Sequence, residues 1–154
     1  MAMTDWMPTL AEKIAAVSGL QYVYFPDPTD ADAGLPGALR VFPCAVILPR
    51  QGSQVYSVGG PNIAIHRLRI TLYVANQVLA ESYAVAIPYI KSIRDKLAAN
   101  VQLGGLAGID HVLPDTSQAV FYDGPGGIKY GDTEHLGIIF YVEVKEHETF
   151  TVSA

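Results

Sequence analysis

This chain has little cysteine and little charge, and each shortage excludes a class of structure. Cys44 is the single cysteine in 154 residues, so an internal disulfide framework and a multi-cysteine zinc site are both excluded. No apolar run approaches the ~20 residues that a membrane-spanning helix needs. Residues 1–10 lack the basic flank and apolar core of a secretory signal, so we expect synthesis in a reducing cytoplasm.

The scarcity of charge points to subunit contacts. Only 16% of the residues are charged and 50% are hydrophobic, whereas about 25% are charged in a typical soluble domain. The net charge is −5, yet the segment 40–100 carries seven basic and two acidic residues. An acidic chain of this kind is not expected to bind nucleic acid tightly. A small domain with so little charge is expected to bury apolar surface against another chain.

Hydrophobic periodicity predicts one domain over residues 1–154, with an α+β fold. Two helices are predicted to pack on one face of a mainly antiparallel or mixed sheet of about four to five strands. The predicted helices cover 5–18, with Asp5 as the cap, and 80–99, with Pro88 kinking the helix or marking its regular start. The predicted strands cover 21–25, 44–48, 63–74, 118–122 and 136–146, with a loop at 26–43, a turn at 123–127 and a C-terminal tail at 147–154.

Four apolar patterns identify the expected core. The first helix presents Trp6, Leu10, Ile14 and Val17 on one stripe, and the second presents Tyr83, Ile87, Ile90, Ile93 and Leu97. In the long strand 63–74, Leu68, Ile70, Leu72 and Val74 share one face, while Arg67, Arg69, Thr71 and Tyr73 share the other. The last strand alternates in the same way, with Ile138, Phe140, Val142 and Val144 inward and Ile139, Tyr141, Glu143 and Lys145 outward.

No residue pattern indicates catalysis, a cofactor or a metal. Asp27, Asp30 and Asp32 resemble the start of a calcium loop, but Val41 stands where the closing glutamate belongs. The histidines (His66, His111, His135 and His147) lack metal-ligand spacing, and His66 is expected to be a hydrogen-bonded core residue. Glu146, His147 and Glu148 are expected to be solvated. Cys44 lies in an apolar strand, where a thiol is usually inert, so we expect no enzyme.

The basic face of the long strand has several interpretations. Arg67 and Arg69 can lie on a solvated face of an antiparallel sheet. They can instead pair with acidic residues of a neighbouring subunit, or line a channel through which a polyanion moves.

Taken together, these elements resemble the tail terminator (tail completion or neck) proteins of long-tailed bacteriophages. The resemblance lies in the N-terminal helix, Phe42-Pro-Cys-Ala-Val-Ile-Leu-Pro49, the basic strand ending Leu72-Tyr73-Val74, Pro88-Tyr-Ile-Lys-Ser-Ile-Arg-Asp-Lys-Leu97, the Asn100 to Gly105 exit, and Leu136-Gly-Ile-Ile-Phe-Tyr-Val-Glu-Val144. The long 26–43 loop departs from a minimal version of that fold.

The resemblance implies a structural virion protein without catalysis. Such proteins form a homo-oligomeric ring, usually a hexamer, at the head–tail junction. The ring caps the tail tube and meets the head-side connector or stopper protein. Genomic DNA passes through the lumen of the ring. Arg67, Arg69, Tyr73 and Tyr141 are then the candidate subunit-interface or lumen-facing residues. Another neck ring protein (stopper or adaptor), a tail-tube-like protein and, more distantly, a small-ligand-binding cytoplasmic α+β protein are the alternatives.

Overall fold

Two helices and six strands make up the described part of the chain. The computed structural model describes residues 3–26, 35–55, 62–100, 109–114 and 122–148. The helices are α1 (Met3–Ala15) and α2 (Ala80–Ala99). The strands are β1 (Tyr22–Tyr24), β2 (Cys44–Val55), β3 (Asn62–Ala75), β4 (Ile109–Pro114), β5 (Tyr122–Tyr130) and β6 (Thr133–Glu148).

All six strands belong to one mixed sheet. Five of them follow the order β1-β2-β3-β6-β4, and β5 also pairs with β6, beside β4. The β1–β2 pairing is parallel and the other pairings are antiparallel. The predicted α+β class and the mainly antiparallel sheet are therefore confirmed, with one strand more than expected.

The long alternating strand is central in this sheet. Strand β3 pairs with β2 on one side and with β6 on the other, almost along its whole length. Its alternation therefore separates two faces of the sheet. We call them the helix face, which carries Leu68, Ile70 and Leu72, and the opposite face, which carries Arg67 and Arg69.

The helix face holds the main core, as the periodicity predicts. Trp6, Leu10, Ile14 and Val17 of the α1 segment are all buried there. They pack in one cluster with apolar residues of both helices and of three strands: Ala45, Ile47, Leu68, Ile70, Leu72, Val74, Ala86, Ile93, Leu97, Leu136, Ile138, Phe140, Val142 and Val144. Both helices therefore lie on the same face of the sheet.

The ends of α1 differ from the prediction. The helix begins at Met3, so Asp5 lies inside it and is not its cap. It ends at Ala15, and a tighter turn follows in which the Val17 N–H donates to the Ile14 carbonyl at 3.0 Å. Gly19 then takes a φ of +90°, a conformation that favours glycine, and turns the chain towards β1.

Helix α2 has the predicted bounds but a different buried stripe. Ala86, Ile93 and Leu97 are its buried residues, whereas Tyr83 and Ile87 are exposed, so that part of the prediction is wrong. The helix continues across Pro88, which therefore does not mark its start. Tyr83 and Ile87 lie beside the contact with the sheet, because the helix turns its Ala86 side towards the core.

The segment between α2 and β6 was poorly predicted. Strand β4 was missed, and the turn predicted at 123–127 lies within β5, paired with β6. A bulge between Asp123 and Gly126 accommodates the turn-like composition, with Gly124 at a φ of +105°. Residues 118–121 of the predicted strand lie outside the described residues, as do 149–154 of the predicted tail, whose first two residues belong to β6.

Part of the 26–43 loop folds back onto its own sheet. Leu39 is buried against the opposite face, and the Gln21 N–H donates to the Pro43 carbonyl at 2.8 Å. The described part of this loop therefore covers part of the opposite face.

Candidate functional site

The opposite face of the sheet is divided into a covered half and an open half. The covered half lies near the β5–β6 hairpin. The open half lies further along β3, towards its start, where Arg50 and Arg69 are exposed, Arg67 and Tyr141 are partly exposed and Glu143 is buried. The difference between the two halves determines which of the predicted site residues can meet a partner.

A second, smaller core fills the covered half. Cys44, Val46, Tyr73 and Leu39 are buried there, with Tyr24, Phe42, Leu48, Ile128 and Tyr130 packed against them. The Tyr73 hydroxyl donates to the Lys129 carbonyl at 3.3 Å, and the Tyr130 hydroxyl donates to the Pro36 carbonyl. Burial raises the pKa of Tyr73, with a smaller opposing effect from Arg69. These tyrosines therefore fill a core.

Cys44 behaves as the sequence predicts. Its side chain is fully buried in β2. Burial raises the pKa of the thiol to about 11, so the thiol is protonated at neutral pH.

The open half is basic. Strand register places Arg69 between Leu48 and Tyr141, and the next row places Arg67 beside Glu143. Lys145 follows on the same face two residues later, and Arg50 comes from the irregularity in β2 between Pro49 and Gln51. We call this set the basic half-face: Arg50, Arg67, Arg69, Tyr141, Glu143 and Lys145. It has four basic side chains and one acidic one, in a chain whose net charge is −5.

Contacts within the chain hold two of the three arginines. Arg67 Nη2 lies 3.9 Å from Glu143 Oε2, and the two residues are direct cross-strand partners. The guanidinium carbon of Arg50 lies 5.3 Å from the centre of the Tyr141 ring, a cation–π arrangement. The Arg50–Tyr141 contact reaches from β2 across β3 to β6, whereas Arg67 and Glu143 are direct neighbours on β3 and β6.

Arg69 differs from both of them. Its side chain is exposed, and it makes no ion pair with any residue in the described part of the chain. Arg69 lies in β3, the middle strand of the sheet. Its two arginine neighbours are Arg67, which pairs with Glu143, and Arg50, which lies over the Tyr141 ring. The positive charge of Arg69 therefore has no ion-pair partner in the part of the chain that the structure describes.

Of the four residues predicted for the site, three come together. Arg67, Arg69 and Tyr141 lie on the basic half-face, in adjacent rows of the sheet. Tyr73 lies on the same strand face but is only 5% exposed, because β5 and the segment around Leu39 cover it. Tyr73 is therefore not part of the exposed surface.

A buried polar cluster lies on the helix face, and the sequence reading missed one of its members. Glu146 continues the inward register of β6 and is fully buried, so the expectation that it is solvated is wrong. Its Oε2 lies 3.9 Å from His66 Nε2, and the His66 ring is 5.4 Å from the Trp6 ring. Extending the alternation of Val142 and Val144 by two residues is the signal that would have found it.

The other chemical candidates are more easily placed. His135 is buried, and its Nδ1 lies 2.9 Å from the Asn76 carbonyl. Within the described ranges, no three His, Cys, Asp or Glu side chains converge as a metal site would require. The Asp27, Asp30 and Asp32 pattern lies outside those ranges. No described helix is long and apolar enough to cross a membrane.

Sequence comparisons add no family assignment to this geometry. No known family model matches the chain, and no curated protein matches its sequence. The resemblance to tail terminators therefore stays a prediction from the sequence pattern.

Proposed function

We propose that this chain is a structural subunit that assembles with copies of itself into a ring, as a tail terminator of a long-tailed bacteriophage does. In this role the ring, a hexamer by analogy with that family, caps the tail tube and meets the head-side connector, and DNA passes through its lumen. The role is mechanical, and it requires surfaces for other subunits instead of a catalytic centre.

An exposed apolar stripe on α2 is the observation that carries this proposal. Tyr83 and Ile87 are four residues apart, so they share one side of the helix, and Leu79, the residue that caps the helix, comes four residues before Tyr83. Their side chains are 46%, 37% and 57% exposed. Val85, on another side of the same helix, is 58% exposed. Apolar surface of this kind is typical of a contact with another chain.

The low charge of the chain supports the same conclusion. The stripe has the spacing of core residues, which is why the sequence predicts that Tyr83 and Ile87 belong to the core. A helix side with core spacing that its own sheet leaves uncovered is suited to packing against a second copy.

Two alternatives remain within virion proteins, and a third is less well supported. A stopper or adaptor ring and a tail-tube-like protein need the same kind of subunit contact. The small-ligand-binding alternative depended on tyrosines lining a pocket. Tyr73 and Tyr130 instead fill the second core, and their hydroxyl groups donate to backbone carbonyls.

The decisive experiment changes the apolar stripe and measures the mass of the assembly. We expect the purified protein to show a ring-sized mass in sedimentation velocity and rings in negative-stain micrographs. Ile87→Glu should shift the population to monomers, because a carboxylate cannot be buried in an apolar contact without a partner.

A matched control separates loss of contact from loss of folding. Ser92→Glu places the same carboxylate on an exposed position of the same helix, away from the stripe, and it should leave the ring intact. A wild-type protein that stays monomeric at every concentration, and does not bind isolated tail tubes, would refute the proposed function.

A further inference from the structure

Two exposed charged groups lie far apart on the same chain. One is Arg69 of the basic half-face, which has no ion pair among the described residues. The other lies at the end of the β5–β6 hairpin, where Asp132 is in the turn and Glu134 is the second residue of β6; we call these two residues the acidic hairpin tip. Both of its carboxylates are exposed, and neither makes an ion pair with a described residue.

The acidic hairpin tip is held in a fixed position at the end of the sheet. Tyr130 and Thr133 pair across the turn, and Gly131 takes a φ of +62° within it. The Glu134 carboxylate lies directly over Gly127: a Cβ added to Gly127 would be 2.6 Å from Glu134 Cδ. Lys129 is opposite Glu134 in the strand register, yet the two side chains form no ion pair in the described structure.

The two surfaces cannot meet within one chain. Glu134 of the hairpin tip and Tyr141 of the basic half-face both belong to β6, and seven residues along that strand separate them. At about 3.4 Å per residue the separation along the strand is roughly 24 Å. The hydrogen-bonded ladder fixes this distance, so a match between the surfaces requires a second molecule.

We propose that the acidic hairpin tip of one copy docks on the basic half-face of the next copy, with Arg69 as the main electrostatic partner. The contact joins two different surfaces, and contacts of that kind build a closed ring when the rotation between subunits closes. This inference rests on the proposed ring function and names one of the contacts within the ring.

A nucleic acid is the other anionic partner to consider, and the observations favour it less. The positive charge without a described ion pair is a single side chain, Arg69, which two carboxylates near a turn match in extent better than a long phosphate backbone does. A second copy brings two such carboxylates, Asp132 and Glu134, which form no ion pair with the described residues of their own chain.

Charge reversal on each surface, followed by a charge swap, tests this contact. Arg69→Glu and the double variant Asp132→Lys/Glu134→Lys should each weaken self-association by about tenfold or more. Combining the changes in one chain should restore much of the association, because the two surfaces are again complementary. Lys129→Glu, which makes the hairpin tip more acidic, should strengthen association.

Two controls keep the result interpretable. Lys13→Glu reverses a charge on α1, on the other side of the sheet, and should leave association unchanged. The folding of each variant is checked by the fluorescence of Trp6, which is buried in the main core. Wild-type association should also weaken as salt is raised, because the contact is between charges.

The possible failures point to different conclusions. If rings form but Arg69→Glu rings are as stable as wild type, this contact is wrong while the ring function stands. If Arg69→Glu leaves the ring intact but abolishes binding to a short DNA duplex, the basic half-face belongs to a nucleic acid and the inference is overturned. A wild-type monomer would overturn both proposals.

Discussion

Gly137 stands where the sheet is most tightly packed, and replacing it with alanine should destabilise the protein. A Cβ at this position would lie 2.7 Å from the Leu72 carbonyl oxygen and 3.1 Å from Ile128 Cδ1. The first of these atoms belongs to the backbone of β3, so it cannot move aside as a side chain would. Ordinary contact begins at about 3.4 Å, so β6 would have to move away from β3 by roughly 0.7 Å.

The expected cost follows from the two interactions that this shift disturbs. Overpacking a well-filled site typically costs about 1–3 kcal/mol, and each backbone hydrogen bond that the shift weakens contributes up to about 1 kcal/mol. We therefore expect Gly137→Ala to lower the free energy of unfolding by about 2–4 kcal/mol. For a chain of this length, each kcal/mol corresponds to roughly 2–4 °C in Tm.

Gly126 provides a matched control, because it is the cross-strand partner of Gly137. A Cβ there would meet nothing within 4 Å, and its φ is not in the left-handed region. Gly126→Ala should therefore be neutral or slightly stabilising.

Urea unfolding followed by Trp6 fluorescence measures both variants, since Trp6 is the single tryptophan and is fully buried. A Gly137→Ala variant within about 0.5 kcal/mol of wild type would show that the close approach to Leu72 does not control packing here. An equal loss in Gly126→Ala would also contradict the reasoning.

Three further predictions concern the two cores. Burial raises the pKa of the Cys44 thiol to about 11, so the thiol of the unfolded chain ionises first as pH rises above its ordinary pKa of 9.0. The free energy of unfolding should therefore fall as pH rises between these two values. Cys44→Ala should remove part of this pH dependence, as urea titrations at several pH values would show. The same buried thiol should react with a thiol reagent only as fast as the protein opens, so a fast reaction in native buffer would contradict its burial. Ile70→Ala should lower the free energy of unfolding by about 2–5 kcal/mol. Arg69→Ala, one residue away on the opposite face, should change it by less than about 0.5 kcal/mol. Thermal unfolding followed by circular dichroism compares the two variants.

The elements that the sequence predicted well each have one dominant interaction. Helix α1 buries a single stripe, and β3 buries one of its two faces, so period and burial agree at Trp6, Leu10 and Ile14 and again at Leu68 and Ile70. The bounds of α2 were also predicted, since its helical composition continues up to Asn100. For these segments, the apolar pattern of the sequence agrees with which residues are buried in the structure.

The candidate site was predicted only in part, because exposure on the opposite face depends on distant segments. Tyr73 and Arg69 belong to the same face of the same strand, and periodicity treats them alike. Tyr73 is buried because β5 and the segment around Leu39 pack over it, whereas no described segment covers Arg69 in this way. Those covering segments come from parts of the chain that are far from β3 in sequence.

By itself, the sequence determined the class of fold, the central basic strand and the inward register of the last strand, because these follow from hydrophobic alternation within one segment. The tertiary structure alone decided that Ile87 is exposed, that Tyr73 is covered, and that Arg69 remains without an ion pair among the described residues. The reason is physical: periodicity states which residues share a face, but only the packing of other elements against that face determines how much of it is covered.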